Sequence, residues 1–374
     1  MDDKALMSLP HPIRFEIAIN GTVEKVIFES MGIMDAMKPY LTDQHAPTES
    51  IINTVPIIKK TAISYLELSG GNLGSFLLMM ARARLRAHGD AFFQITPALQ
   101  TLLDETDLGK DLPSHFFRPP YAFIYLEFAQ PNPFYVLNKT SGEHLFEGAY
   151  IASYELPAHH NIFNIPERNR YLQLDPSKPI RLLELVLTGS PIGKENALDD
   201  ASQDLILFIQ NEDECLQELL DRHITFFKSP NAYCHRGMAA FNANEADSFK
   251  AIIYAIAKAL LYLNLPESRQ EKNNERTELE NRIALLGNKK ASKLSRKLEK
   301  TYDKIIVGPS SFQDTDEKSV IKVGAIKTHW RRGHFRRIRI GEGRTEVKIG
   351  WIQPSLVNAN NLTEGASHKN YSVR

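Results

Sequence analysis

The residues best equipped for chemistry lie near the C-terminus, in KTHWRRGHFRRIRIGEGRTEVKIGWIQPSLVN, residues 327–358. This stretch sets Lys327, Arg331, Arg332, Arg336, Arg337, Arg339, Arg344 and Lys348 around two histidines, His329 and His334, with Trp330 and Phe335 between them. Arginine presents a planar fork of donors that fits phosphate, and aromatic rings stack on bases. Together they form the footprint of a nucleic-acid surface, most simply for RNA. The plainer alternative is a solvated cationic face that pairs with acidic residues elsewhere. Histidine titrates near pH 6.5 when unperturbed, so His329 and His334 are the candidate catalytic residues. One could act as base on a 2′-hydroxyl and the other as acid, with arginines on the phosphorane charge. Glu346 and Lys348 form a Glu-x-Lys pair of the kind metal-dependent nucleases use, although on one strand face such residues are usually a surface pair.

Positioning these groups requires a β-hairpin. Thr345, Val347, Ile349 and Trp351 alternate with Arg344, Glu346, Lys348 and Gly350, and Ile338 and Ile340 alternate with Arg337 and Arg339. Period 2 predicts two half-buried strands. Gly341-Glu342-Gly343 between them supplies the positive-φ turn. One face should be apolar and packed, with Trp351 as a buried anchor, and the other almost wholly cationic.

Charge is unevenly placed along the 374 residues. The formal net charge is zero, yet residues 282–351 hold 18 Lys and Arg against 7 Asp and Glu, a net of +11, which leaves −11 for the remainder. A basic module on an acidic body suits a polyanionic partner, and it equally lets the two parts attract each other. Two cysteines, Cys215 and Cys234, without a CxxC exclude a zinc ribbon or a disulfide scaffold. The N-terminus, MDDKALMSLP, lacks a signal-peptide core. The most apolar run, 251–265, carries Lys258 and is too short to span a bilayer. A cytoplasmic protein with no membrane contact is expected.

Other candidate sites read as structure. Gly341-x-Gly343 lacks the third glycine and the βαβ setting of a dinucleotide loop. Adjacent His159 and His160 rarely converge on one ion. Cys215 and His223 share a core stripe, whereas a reactive thiol needs exposure and a positive neighbourhood. Cys234-His235 lies in a loop beside Arg236. No cofactor and no metal are expected.

In chain order, residues 12–19 read as a strand that turns at Asn20-Gly21 into a second apolar stretch, 23–28. Residues 73–88 read as a helix with Leu73, Phe76, Leu77 and Met80 on its core face and Arg82, Arg84 and Arg86 suited to its C-terminus. Thr96-Pro97 starts another helix, which Gly109 should end. Apolar runs at 121–128, 150–156, 180–187 and 205–209 predict a central sheet. Helices follow at 211–227 and 245–265, the second apolar nearly all round and so the most buried. Residues 267–304 read as two charged helices, the second basic, with 308–319 as a polar boundary loop. No internal repeat, low-complexity tract or helix-turn-helix is evident.

The C-terminal spacing is informative as a whole: His329-x-Arg331-Arg332-Gly333-His334, then Gly341-x-Gly343, then Trp351-x-x-Pro354-x-x-Val357-Asn358. It resembles the C-terminal signature of a family of phage- and plasmid-encoded proteins, that of the second type V-A anti-CRISPR protein. Leu112-Pro113 before the strand near Tyr121, and the apolar helix before Pro266, fall in the matching order, while the N-terminal portion does not align. The resemblance implies recognition of the nascent polypeptide of a target, a type V-A CRISPR effector, and loss of its message during translation.

The expected fold is α+β, in four parts. Residues 1–115 hold a hairpin and helices, and 116–265 a mainly antiparallel sheet with a buried helix. A charged helical connector spans 266–318, and a basic β-hairpin module spans 319–374. The expected function is a regulatory binding protein whose partners are a nascent polypeptide and RNA or the ribosome. Its rivals are a ribonuclease using His329 and His334, and a DNA-binding plasmid or phage regulator.

Overall fold

The N-terminal segment is helical where a strand and a hairpin turn were expected. A computed structural model describes residues 3–68, 73–138, 140–193, 196–229, 243–286, 291, 294–295, 297–298, 301–311 and 329–357. Asp3–Met7 (α1), His11–Ile19 (α2), Val23–Ser30 (α3) and Ile33–Met37 (α4) form the first layer. The expected hairpin at 12–28 is therefore a helix pair. Phe15 and Ile19, four residues apart, are both buried, and Pro10 and Pro12 fit a helix start. Asn20 caps α2, and Gly21 follows at φ 81°, the left-handed residue that commonly ends a helix. Thr22 then opens α3 by accepting the Lys25 amide. Asn-Gly serves both helix ends and hairpins, and here the i,i+4 apolar spacing decides.

Thr48–Thr54 (α5), Pro56–Leu68 (α6) and Gly74–Ala87 (α7) complete the N-terminal helices. Arg82 and Arg84 do not cap α7 in solvent but are buried. Arg82 pairs with Glu16 at 3.0 Å and with Asp90, and Arg84 donates to the carbonyls of Ala46 and Asp43.

Phe92–Ile95 (β1) leads into Pro97–Asp104 (α8), whose cap, Thr96, accepts the Leu99 amide. That helix ends before Gly109, because Thr106–Asp107 (β2) intervenes. Phe123–Glu127 (β3), Tyr135–Asn138 (β4) and Gly142–Leu156 (β5) follow, then Pro166–Leu172 (α9), Ile180–Pro191 (β6) and Ala201–Ile209 (β7). Leu216–Lys228 (α10) and Ala243–Leu263 (α11) pack on each other. Gln270–Asn273 (β8), Glu275–Ala284 (α12) and Lys304–Val307 (β9) precede the C-terminal strands His329–Arg331 (β10), Gly333–Ile340 (β11), Glu346–Ile352 (β12) and Ser355–Val357 (β13).

The fold is α+β, and the central sheet has the order β7-β6-β5-β3-β1-β9-β8, with β4 also on β5. Pairing is antiparallel except β1 with β3 and β1 with β9. The sheet crosses the expected boundaries at 115 and 265: β1 comes from the first segment, and β8 and β9 come from the segment read as a helical connector. β6 is buried at nearly every position, so both sheet faces are covered. In α11, Ile252, Ile253, Ile256, Ala257, Leu260 and Leu261 are all at most 1 % exposed, as its all-round apolarity predicted.

Candidate nucleic-acid interface

The basic hairpin forms as expected: β11 and β12 pair antiparallel from His334↔Ile352 to Ile340↔Glu346, and Gly341 and Gly343 sit at φ 79° and 69° in the turn. It docks on the body through β2, which pairs in parallel with β11 at Gly333↔Thr106 and His334↔Asp107. The Gly333 amide donates to the Glu105 carbonyl at 2.9 Å. Gly109 lies so close to β11 that a Cβ there would overlap the Phe335 carbonyl oxygen. The neighbouring β10 and β13 pair separately, at His329↔Val357.

The two faces of the hairpin differ from the expected division into one apolar and one cationic face. Register puts Phe335, Arg337 and Arg339 on the same face as Trp351, Ile349 and Val347. Phe335 is fully buried and stacks on Trp351, ring centroids 5.8 Å apart. Trp351 is half-buried: it meets Tyr262 of α11 edge-on at 5.4 Å, and its indole Nε1 donates to Thr106 Oγ1 at 3.2 Å. It is an anchor, though not a fully buried one. The other face carries His334, Arg336, Ile338, Ile340, Glu346, Lys348 and Ile352. The cations are split because Arg336 and Arg337 are sequence neighbours, and neighbours on a strand point to opposite sides.

Two of the expected contact residues are engaged with the body. Arg332 pairs with Asp107 at 3.0 Å and Arg337 with Asp111 at 3.8 Å, and both contacts are solvent-exposed enough to contribute little to stability. Arg331, Arg336, Arg339, Arg344 and Lys348 are exposed, and no ion pair joins them to an acidic group among the described residues. Lys327 and the side chains of His329 and Trp330 lie outside the described residues. His334 is exposed, at the body end of β11. Its partner in the acid–base reading, His329, stands on a different strand of a different sheet.

Beneath the hairpin, Lys258 donates to the Leu103 carbonyl at 2.5 Å, so this cation inside an apolar helix caps the C-terminal end of α8. Burial lowers its pKa, opposed by Asp104 and Asp107.

A second polar centre was not legible in the sequence. Arg14 of α2 is fully buried and donates to Asp200 at 3.0 Å, to the Leu9 carbonyl at 3.0 Å and to both carboxylate oxygens of Glu147, at 3.1 and 2.5 Å. Burial raises Asp200 to about 7. His11, 3.6 Å from Asp200, is held well below its usual range by burial and then by Arg14. The cluster ties the first helices to β5 of the sheet. The only hint in the sequence was an arginine inside an apolar stretch, and its partners are 133 and 186 residues away.

Ser141, His144 and Asp199 resemble a hydrolytic triad in composition but not in geometry. The Ser141 hydroxyl donates to Asp199 at 2.6 Å, so at 2.9 Å the His144 Nε2 must donate to that oxygen rather than accept its proton. Burial lowers His223 to about 4; its Nε2 accepts the Phe208 amide at 2.9 Å, so it is a core histidine. Cys215 donates to the Lys110 carbonyl, and His160 caps a short 3₁₀ turn. Cys234 and His235 lie outside the described residues. Among the described residues there is no cluster of three His, Cys, Asp or Glu side chains suited to a metal, and no helix long and apolar enough to cross a membrane. A cavity of about 230 Å³ lined by Phe15, Ile19, Phe28 and Met79 is smaller than the roughly 300–1,000 Å³ usual for ligand pockets.

Residues 93–359 match the model of the AcrVA2-like family, described as the anti-CRISPR type V subtype A2 family. That span opens in β1 and includes the whole hairpin. Among solved structures the chain is similar to the crystal structure of AcrVA2, at 13% identity and a TM-score of 0.48, over 94% of this chain and 100% of that one. No curated protein matches.

Proposed function

We propose, from the premise that this chain belongs to the AcrVA2-like family of type V subtype A2 anti-CRISPR proteins, that it lowers production of a type V-A CRISPR effector by recognising the effector's nascent polypeptide and causing loss of its message. The basic hairpin meets RNA or the ribosome, and the larger body is left to bind the peptide. The work takes place in the cytoplasm of the host bacterium. The observation that carries this reading is the family match, which takes in the hairpin together with the sheet and α11 on which it docks. The exposed cations on a ribbon clamped to an apolar core support a polyanion-facing role for it.

We favour binding over catalysis for the hairpin, because its exposed cations Arg331, Arg336, Arg339, Arg344 and Lys348 have no ion-pair partner among the described residues. A ribonuclease of the expected kind needs two imidazoles converging on one phosphate. Here His334 stands exposed at the body end of β11, and the His329 side chain lies outside the described residues.

The test is recovery of ribosomes with the tagged protein from cells expressing a type V-A effector, followed by sequencing of the associated messages. The effector message should be enriched, and enrichment should vanish when the first codons of the effector are recoded to a different peptide. Enrichment that survives that change would refute nascent-peptide recognition. Cleavage of purified RNA by the protein alone, lost with His334→Ala, would replace binding by catalysis.

A further inference from the structure

We infer that the hairpin binds the phosphate backbone of double-stranded RNA and takes no part in stacking on bases. This rests on the reading above that the module faces RNA, and it deepens it. Single-stranded RNA is gripped mainly by aromatic side chains on which unpaired bases stack, whereas duplex RNA hides its bases and is recognised by shape and backbone.

The described aromatic residues of the hairpin lie on the opposite face from Arg336 and Lys348. Phe335 is fully buried. Trp351 packs between Phe335 and Tyr262, and its one polar atom is committed to Thr106. On the outer face the flat groups are the Arg336 guanidinium and His334, and His334 stands at the body end of the strand opposite Ile352. The exposed cations are Arg336 and Lys348 on this face, Arg339 on the opposite face and Arg344 in the turn, beside exposed Ile340, Ile352, Glu342 and Glu346.

The spacing suits a backbone. Arg336 faces Gly350 and Lys348 faces Ile338, so the two cations are diagonal neighbours across the strands, with backbones roughly 7–8 Å apart. Long side chains on that diagonal can reach successive phosphates of one strand. Gly350 has no side chain between them, and Ile338 fills the space over it. The eight residues of β11 extend roughly 26 Å, enough for cations along the ribbon and at its turn to follow the backbone along the wide, shallow minor groove of an A-form duplex. A phosphate backbone matches the exposed cations Arg336 and Lys348, and among the described residues a single strand would find no ring on that face beyond His334.

The experiment compares a 24-base-pair RNA duplex with 24-nucleotide oligo-U and oligo-A, using the full-length protein across a salt series. Duplexes of unrelated sequence should bind equally, and at least as tightly as either single strand. Arg336→Gln with Lys348→Gln should weaken duplex binding tenfold or more and flatten the salt slope by roughly one to two units. In a Trp330→Phe background the fluorescence of Trp351 should stay unchanged on RNA addition. Tight binding of single strands with quenching of Trp351, or an unchanged slope in the double variant, would overturn the inference while leaving RNA as the partner. Failure of every RNA to bind while ribosomes are still captured would instead reject the RNA-facing reading itself and point to a ribosomal protein. A duplex DNA of the same length serves as the last arm. Equal or tighter binding of DNA would refute the assignment to RNA.

Discussion

Replacing Phe335 with Ala should release the hairpin from the body. The side chain is fully buried and stacks on Trp351 at 5.8 Å, and the backbone carbonyl of the same residue lies against Gly109. Phe→Ala changes in a core cost about 3–5 kcal/mol from lost transfer energy and the cavity left behind. The hairpin is held along a narrow front, through two register pairs with β2 and the Phe335–Trp351–Tyr262 ring contacts. Most of that loss should therefore fall on local opening rather than on the central sheet. If opening is fast compared with cleavage, proteolysis follows the open population, and each 1.4 kcal/mol is a factor of ten. Trypsin cleavage within β11 and β12 should then accelerate by about 100- to 4,000-fold. The assay is cleavage kinetics read by mass spectrometry, with urea unfolding of the same variant alongside. Phe335→Leu, which keeps most of the volume, should lose no more than about 1.5 kcal/mol. An acceleration below tenfold in Phe335→Ala, with an unchanged unfolding midpoint, would refute the claim that these rings clamp the hairpin.

Three further outcomes follow from the same geometry. Gly109→Ala should also loosen the hairpin, because the new methyl group meets backbone that cannot rotate away; protease resistance of β11 equal to wild type would contradict this. Arg14→Met should cost about 3–5 kcal/mol in urea unfolding at pH 7, since it leaves Glu147 and Asp200 without their buried cation, and a loss under 1 kcal/mol would show the clamp to be dispensable. Burial raises Glu127 of β3 to about 7, from an ordinary 4.5, while Gln94 donates to it at 3.0 Å. A raised acid stabilises the fold fully below its unfolded pKa and loses that contribution as pH climbs through the folded value. Between about pH 4.5 and 8 wild type should therefore lose on the order of 3 kcal/mol relative to Glu127→Gln. Parallel stability curves for the two proteins across that range would rule out the raised carboxyl.

By itself the sequence determined the elements whose signals are local. Thr96-Pro97 starts α8, the all-round apolarity of 245–265 makes a buried helix, and period 2 around Gly341 and Gly343 makes the basic hairpin. Each depends on spacing within a few residues, which the backbone converts directly into one face or one turn. The four apolar runs between 121 and 209 likewise became β3, β5, β6 and β7. Where two local signals competed, pattern alone went astray: Asn20-Gly21 suits a hairpin and a helix end equally, and the packing of Phe15 and Ile19 settled it as the latter.

Only the tertiary structure decided which side of the hairpin faces the core. Alternation puts Phe335, Arg337 and Arg339 on one face and Arg336, Ile338 and Ile340 on the other, and since each face mixes cations with apolar residues, nothing local says which one packs on the core. β2, a two-residue strand more than 220 residues away in sequence, sets that orientation by pairing with Gly333 and His334. The same holds for β9, a short run of Ile and Val inside a charged segment that becomes a neighbour of β1, and for Arg14, whose acidic partners lie on distant elements. Burial and pairing between distant segments are properties of the assembled sheet. The sequence holds the groups, but their desolvation, and with it the raised pKa of Glu127 and Asp200, comes into being only when the layers close over them.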